Sequence, residues 1–145
     1  MASGWGYFDT SVIVKRYLGE ADSSWAVALL GRHRILSSAI APLEAASALH
    51  KRQEMGDLTR RDLAAAFARM QRDRAYWALV EVSSEVLERA EGLIRRGGVR
   101  TLDAIHIASA LSFQEESGIQ LAFVTADLRQ GETARLAGLR VVSPG

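Results

Sequence analysis

The sequence predicts an α/β fold in which helices cover both faces of a mostly parallel sheet of about five strands. Three observations carry the prediction. Short apolar runs of strand length alternate along the chain with longer segments of helical period. One segment, 101–116, is apolar on nearly every face over its first three turns, as only a helix buried between layers would be. Acids and hydroxyls stand where strands give way to helices, the positions that right-handed crossovers gather on one edge of a parallel sheet.

The elements follow in order. Tyr7-Phe8 closes a first strand, and Asp9-Thr10-Ser11 leads into a helix expected to run from about Ser11 to Leu18, with Gly19 as its C-cap. Asp22-Ser23-Ser24 should cap a second helix through Leu29 and Leu30 that ends near Gly31. Arg34-Ile35-Leu36-Ser37-Ser38 reads as the second strand, and Pro42 suits the first turn of a helix that runs to about Met55 and stops at Gly56. Thr59 and Asp62 are spaced as a capping box for a helix with Leu63, Ala66, Phe67 and Met70 on one face and arginines on the other. Residues 77–82 read as the third strand. Ser84 should cap the next helix, and Gly97-Gly98 break it. Thr101 offers a cap oxygen to the apolar helix, which Gly118 ends. Residues 120–125 form a fourth strand, Asp127 opens a short helix to Ala137, and 139–142 form a last strand before the tail Ser143-Pro144-Gly145.

Composition bounds the function. The 145 residues, 48% hydrophobic and 24% charged, suit a single globular domain over 1–145 that buries roughly two thirds of its unfolded surface. There is no cysteine, which excludes disulfides and thiolate metal sites. No apolar run approaches the roughly 18 residues of a membrane span, and Met1-Ala2-Ser3-Gly4 has no leader character, so a cytoplasmic protein with no membrane partner is expected. The net charge of +1 gives no general basic field of the kind that would by itself indicate nucleic acid. Arginine clusters such as Arg69/Arg72/Arg74 read first as solvated helix faces.

Four acids share the strand-to-helix setting: Asp9, Glu44, Asp103 and Asp127. Each alone is explained as a helix cap or dipole partner. Asp103 resists that reading most, because it lies among Leu102, Ala104 and Ile105 and Thr101 already offers a cap. A carboxylate at the mouth of an apolar helix must be paired, protonated or bound to a metal. If the four converge, like charges raise one another's pKa values, and a hard divalent cation is the usual solution. Mg²⁺ or Mn²⁺ suits such oxygen donors, leaves room for a phosphodiester and can activate water for in-line attack. Thr10, Ser11 and Thr125 could then hydrogen-bond the carboxylates or a phosphate, with the cap role after Asp9 passing to Thr10 or Ser11. A silent module of the same fold, whose acids only cap helices, is the competing reading. A dehalogenase-type phosphatase would need an acid where Ser11 stands, and a receiver domain one after the third strand, where Val82-Ser83-Ser84 supplies none.

Four blocks, Tyr7-Phe8-Asp9-Thr10-Ser11-Val12-Ile13-Val14-Lys15, Pro42-Leu43-Glu44-Ala45-Ala46-Ser47-Ala48-Leu49, Thr101-Leu102-Asp103-Ala104-Ile105-His106-Ile107-Ala108-Ser109-Ala110 and Phe123-Val124-Thr125-Ala126-Asp127, resemble the signature blocks of PIN-domain ribonucleases, most of all the VapC-type toxins of toxin–antitoxin pairs. The resemblance spans essentially the whole chain, in order and spacing. It implies a three-layer α/β/α fold and Mg²⁺- or Mn²⁺-dependent endonucleolytic cleavage of RNA. It also implies a catalytic metal site formed by Asp9, Glu44, Asp103 and Asp127, a cognate VapB-type antitoxin whose tail covers that site, and a homodimer. A housekeeping nuclease of the same fold is the nearest alternative. The aromatic first strand departs from the aliphatic habit of the family. His106 is expected to be a satisfied core histidine, and His33 and His50 to be exposed and inert.

Overall fold

The computed structural model describes residues 4–20 and 23–144; Met1, Ala2, Ser3, the expected cap Asp22 and the tail residue Gly145 lie outside the described residues. Five strands, β1 (Trp5–Phe8), β2 (Arg34–Ser38), β3 (Ala78–Val80), β4 (Ala122–Val124) and β5 (Arg140–Val142), form one sheet in the order β3-β2-β1-β4-β5. Every pairing is parallel. Among the described residues, seven α-helices connect them: α1 (Thr10–Ile13), α2 (Ser23–Arg32), α3 (Ala41–Glu54), α4 (Arg60–Asp73), α5 (Ser84–Arg96), α6 (Thr101–Ser117) and α7 (Leu128–Leu136). This is the three-layer α/β/α arrangement.

The pleat of β1 assigns the layers. Phe8 points into a core with Val12, Ile13, Ala45, Leu49 and Met70 from α1, α3 and α4. Tyr7 points the other way, into a core with Leu36, Val86, Leu93, Ile107 and Phe123. Both aromatics are fully buried, so the aromatic first strand fills space that smaller residues would leave open. Gly6 is the neighbour that permits it. A Cβ there would lie 2.9 Å from Phe8 Cε2 and 3.0 Å from His33 Cγ. His33 is thus half-buried, edge-on to Phe8 and bonded through Nδ1 to the Leu29 carbonyl, rather than exposed.

In α6, every residue from Ala104 to Ala110 is buried, which is why its sequence lacks a polar face. The helix ends at Gly118 in the left-handed conformation, φ 70°, where its N–H donates to the Gln114 carbonyl. The capping box of Thr59 and Asp62 is present on α4.

Several boundaries differ from expectation for local reasons. The helix after β1 is one α-turn, Thr10–Ile13, tightened into a 3₁₀ turn over Val14–Tyr17, and Leu18 is already extended, so Gly19 caps nothing. The β-branched run Val12-Ile13-Val14 disfavours a long α-helix there. Ser83, not Ser84, caps α5, its hydroxyl accepting from the Val86 N–H. Thr101 lies inside α6, whose N-cap Arg100 makes no side-chain cap bond. Strands three, four and five shrink to three residues each, the lengths over which a parallel partner is in register.

Candidate functional site

The carboxyl ends of β1 and β4 lie side by side, with the Asp9 N–H donating to the Val124 carbonyl. The residue after β1, Asp9, and the cap of the helix after β4, Asp127, therefore face the same edge. Asp9 is 6% exposed. Its Oδ2 accepts from the Ser11 N–H at 3.0 Å and its Oδ1 from Gln130 Nε2 at 3.0 Å. Asp9 is itself the N-cap of α1, so the cap role does not pass to Thr10 or Ser11. The Thr10 hydroxyl donates instead to Glu44 Oε1 at 2.7 Å, and the Ser11 hydroxyl accepts from the Ala126 N–H at 3.3 Å.

Glu44 reaches in from the first turn of α3. Besides Thr10, its Oε1 meets His106 Nε2 at 2.6 Å, and the same nitrogen lies 3.6 Å from Asp9 Oδ1. His106 is buried on α6 and its Nδ1 meets the Tyr7 hydroxyl at 2.7 Å. The expected core histidine is thus also a link between two of the acids. Burial pulls its pKa down, but the Glu44 hydrogen bond and the charges of Asp9, Glu44 and Asp103 outweigh burial and raise it above the usual value. Burial, reinforced by the Asp9 charge, keeps the Tyr7 phenol protonated far beyond neutrality.

Asp103 stands in the first turn of α6, three residues before His106. Burial and the nearby negative charge of Asp9 raise its pKa, with Arg100 partly offsetting them and Asp127 adding to them. Arg100 Nε lies 3.2 Å from Asp103 Oδ2, and its Nη2 lies 3.5 Å from Asp127 Oδ2. Asp127 Oδ1 caps α7, accepting from the N–H groups of Arg129 and Gln130.

The four predicted acids thus connect in a row: Glu44 to Asp9 through His106, Asp9 to Asp127 through Gln130, and Asp127 to Asp103 through Arg100. Two clefts that share Arg100 and Asp103 open on three of the acids, Glu44, Asp103 and Asp127. One, of about 190 Å³, is lined by Arg100, Asp103, Asp127 and Gln130; the other, of about 430 Å³, by Glu44, Arg100, Leu102 and Asp103. Among the described residues, no three His, Asp or Glu side chains already stand as a ready-made metal cage. The donor set nevertheless suits a hard divalent cation, being all carboxylate oxygen; burial first, and then the Asp9 charge, disfavour the ionised form of Asp103. Arg100, whose side chain is 79% exposed, is the cation that pairs with Asp103 and Asp127.

Sequence patterns alone do not pick out Tyr7, Arg100 and Gln130 as site residues. Gln130 carries a usable signal: a polar residue one turn after a cap acid, on the side of α7 that also bears Ala134. Nothing in the spacing of Tyr7 separates it from a core aromatic.

A family model described as PIN domain matches residues 6–136. Ribonuclease VapC45 of Mycobacterium tuberculosis (strain CDC 1551 / Oshkosh) is 37% identical over 140 residues, covering 93% of this chain and 92% of that protein. Ribonuclease VapC46 of Mycobacterium tuberculosis (strain ATCC 25618 / H37Rv) is 34% identical over 140 residues, covering 95% and 96%. A solved toxin-antitoxin complex from Klebsiella pneumoniae superposes with a TM-score of 0.62 over 97% of this chain and 98% of that one; at 18% identity the likeness is one of fold.

Proposed function

This chain belongs to the PIN-domain family, among the VapC-type ribonucleases, and on that footing we propose that it is an endoribonuclease toxin that depends on Mg²⁺ or Mn²⁺ and is neutralised by a cognate VapB-type antitoxin. The observation that carries the reading is the linked row of Asp9, Glu44, Asp103 and Asp127 on the carboxyl edge of the sheet. Caps alone do not account for it, because Asp103 and Glu44 cap no helix through their side chains.

In this reading Asp9, Glu44, Asp103 and Asp127 would hold the cation. Once bound, the cation supplies charge stabilisation for the phosphodiester and lowers the pKa of an attacking water. The chain's own groups set the stage. Ser11 N–H and Gln130 fix the Asp9 carboxylate, and Thr10 with His106 fixes Glu44. Thr125, fully buried, sets Gln130 and the Asp127 backbone. Arg100 stands at the rim of both clefts, placed to meet a substrate phosphate when it leaves the acids. The same acidic clefts, one of them lined by the exposed Leu102, are where an antitoxin tail would lie. The expected homodimer and cytoplasmic setting belong to this proposal.

The test is cleavage of RNA by purified protein with Mg²⁺, with Mn²⁺ and with chelator. Asp9→Asn and Asp103→Asn should each abolish a cation-dependent activity while leaving the far-UV circular dichroism unchanged. Undiminished cleavage by these variants in chelator would overturn the reading. A folded wild type that neither cleaves RNA nor binds Mn²⁺ in a calorimetric titration would return the acids to helix caps.

A further inference from the structure

We propose that Gln130 is a positioning residue for Asp9, fixing the orientation of that carboxylate and its spacing from Asp127; the proposal rests on the reading of the acids as a cation site. Glutamine is rarely buried without a reason, and Gln130 is 1% exposed. Its side chain ends in the middle of a relay whose polarity is determined. The Asp127 N–H donates to Thr125 Oγ1 at 3.0 Å. Gln130 Nε2 meets Asp9 Oδ1 at 3.0 Å. Because the Asp9 carboxylate takes the amide NH₂, Oε1 faces Thr125, and the Thr125 hydroxyl donates to it at 2.6 Å. A flipped amide would set its oxygen against the Asp9 carboxylate, which only accepts, so the wrong orientation is refused at that end.

The second anchor is the backbone. The N–H of Gln130 donates to Asp127 Oδ1 at 3.2 Å. One residue therefore grips Asp9 with its side chain and Asp127 with its main chain. Helix α7 sits close enough for this because its next residue is Gly131, where a Cβ would come within 3.3 Å of Val141 Cγ1 and 3.4 Å of Thr125 Cγ2. Ser11 N–H holds the other oxygen of Asp9. Without Gln130, Oδ1 keeps, among the described residues, His106 at 3.6 Å. The carboxylate could then turn about its last torsion, which is soft.

Gln130→Met keeps the length and apolar bulk of the side chain and removes its polar end. Thr125→Val keeps shape and removes the donor that orients the amide, so it should act through Gln130 and more weakly. Three measurements separate the outcomes. A crystal structure of each cation-free variant should show the Asp9 carboxylate rotated or in two conformers, against one in the wild type. Titration of the free protein with MnCl₂ should show affinity lowered by about 10- to 100-fold in Gln130→Met. RNA cleavage should lose kcat by a similar factor with KM within about twofold, the pattern of a misplaced group rather than lost substrate binding. An unmoved Asp9 with wild-type Mn²⁺ affinity and kcat in a folded Gln130→Met would overturn the proposal and leave Gln130 as filler. If Gln130→Met does not fold, the same three measurements on Thr125→Val decide the matter by the same criteria. Should the wild type bind no Mn²⁺ and cleave no RNA, the functional reading fails, while the cation-free structures still decide whether Gln130 holds Asp9.

Discussion

The hydroxyl of Tyr7 lies 2.7 Å from Nδ1 of His106, deep in the second core and on the inner side of the acidic row. The surrounding acids favour the charged ring, in which Nδ1–H donates to the phenol oxygen and Nε2–H to Glu44. Tyr7→Phe preserves the ring, which stacks on Phe123 at 5.3 Å, and deletes only the hydroxyl. The buried Nδ1 then has no partner. The expected cost is about 1–3 kcal/mol, read as a lower urea midpoint at unchanged slope. An unchanged midpoint would show that water reaches this nitrogen.

Asp103 should be held for activity at the expense of stability. Its pKa is raised by burial and by the charge of Asp9, so its ionised form is penalised in the folded protein relative to the unfolded chain. Asp103→Asn removes that penalty at neutral pH. It also removes the ion pair with Arg100, but that partner is largely exposed and such pairs contribute little. The variant should therefore melt higher than wild type in chelator, and lose the advantage when both proteins are scanned at a pH low enough to protonate Asp103. A lower melting temperature in chelator at neutral pH would mean the Arg100 pair outweighs the repulsion.

Patterns of apolar period carried most of the fold. The all-round apolar character of 104–110 located α6 because burial on every face leaves no other composition. The acids were legible because strand ends and helix starts can be read locally, and parallel crossovers then force them to one edge. What stayed hidden depends on contacts across the chain. Gln130 meets Asp9 over 121 positions and Tyr7 meets His106 over 99, and no local period encodes either. Caps differ by one or two residues, Ser83 for Ser84 and Asp9 for Thr10 or Ser11, because neighbouring polar residues are equivalent in sequence and are separated only by which backbone is extended.

Arg100 pairs with both Asp103 and Asp127, at 3.2 and 3.5 Å, from a side chain that is mostly in solvent. Its guanidinium competes for the same oxygens that a divalent cation would need. Arg100→Ala should therefore raise Mn²⁺ affinity in a calorimetric titration, with little change in thermal stability, since an exposed pair adds about 0–1 kcal/mol. If Arg100 also meets substrate phosphate, the same variant should raise KM for RNA. Weaker Mn²⁺ binding in Arg100→Ala would show that the arginine orders the carboxylates rather than competing for them.

Asp73 provides a pH test remote from the acidic row. Its Oδ2 accepts from the Tyr17 hydroxyl at 2.6 Å and from Arg16 Nε at 2.9 Å, tying the 3₁₀ turn after α1 to the end of α4. Burial alone would raise its pKa, but the two hydrogen bonds and the charges of Arg16 and Arg69 outweigh burial and lower it. With a folded pKa below the unfolded value of about 4, the unfolded chain binds more protons across the interval between them. The stability Asp73 contributes is thus full above the unfolded pKa and disappears as pH falls through the folded one. Asp73→Asn should lose about 1–2 kcal/mol at neutral pH, the worth of a charge-assisted bond that is partly screened. The gap between wild type and variant in urea midpoint should close as the pH is lowered from about 5 toward 2. A gap that persists undiminished at the acid end would mean that shape and hydrogen bonding, not the charge, join these two segments.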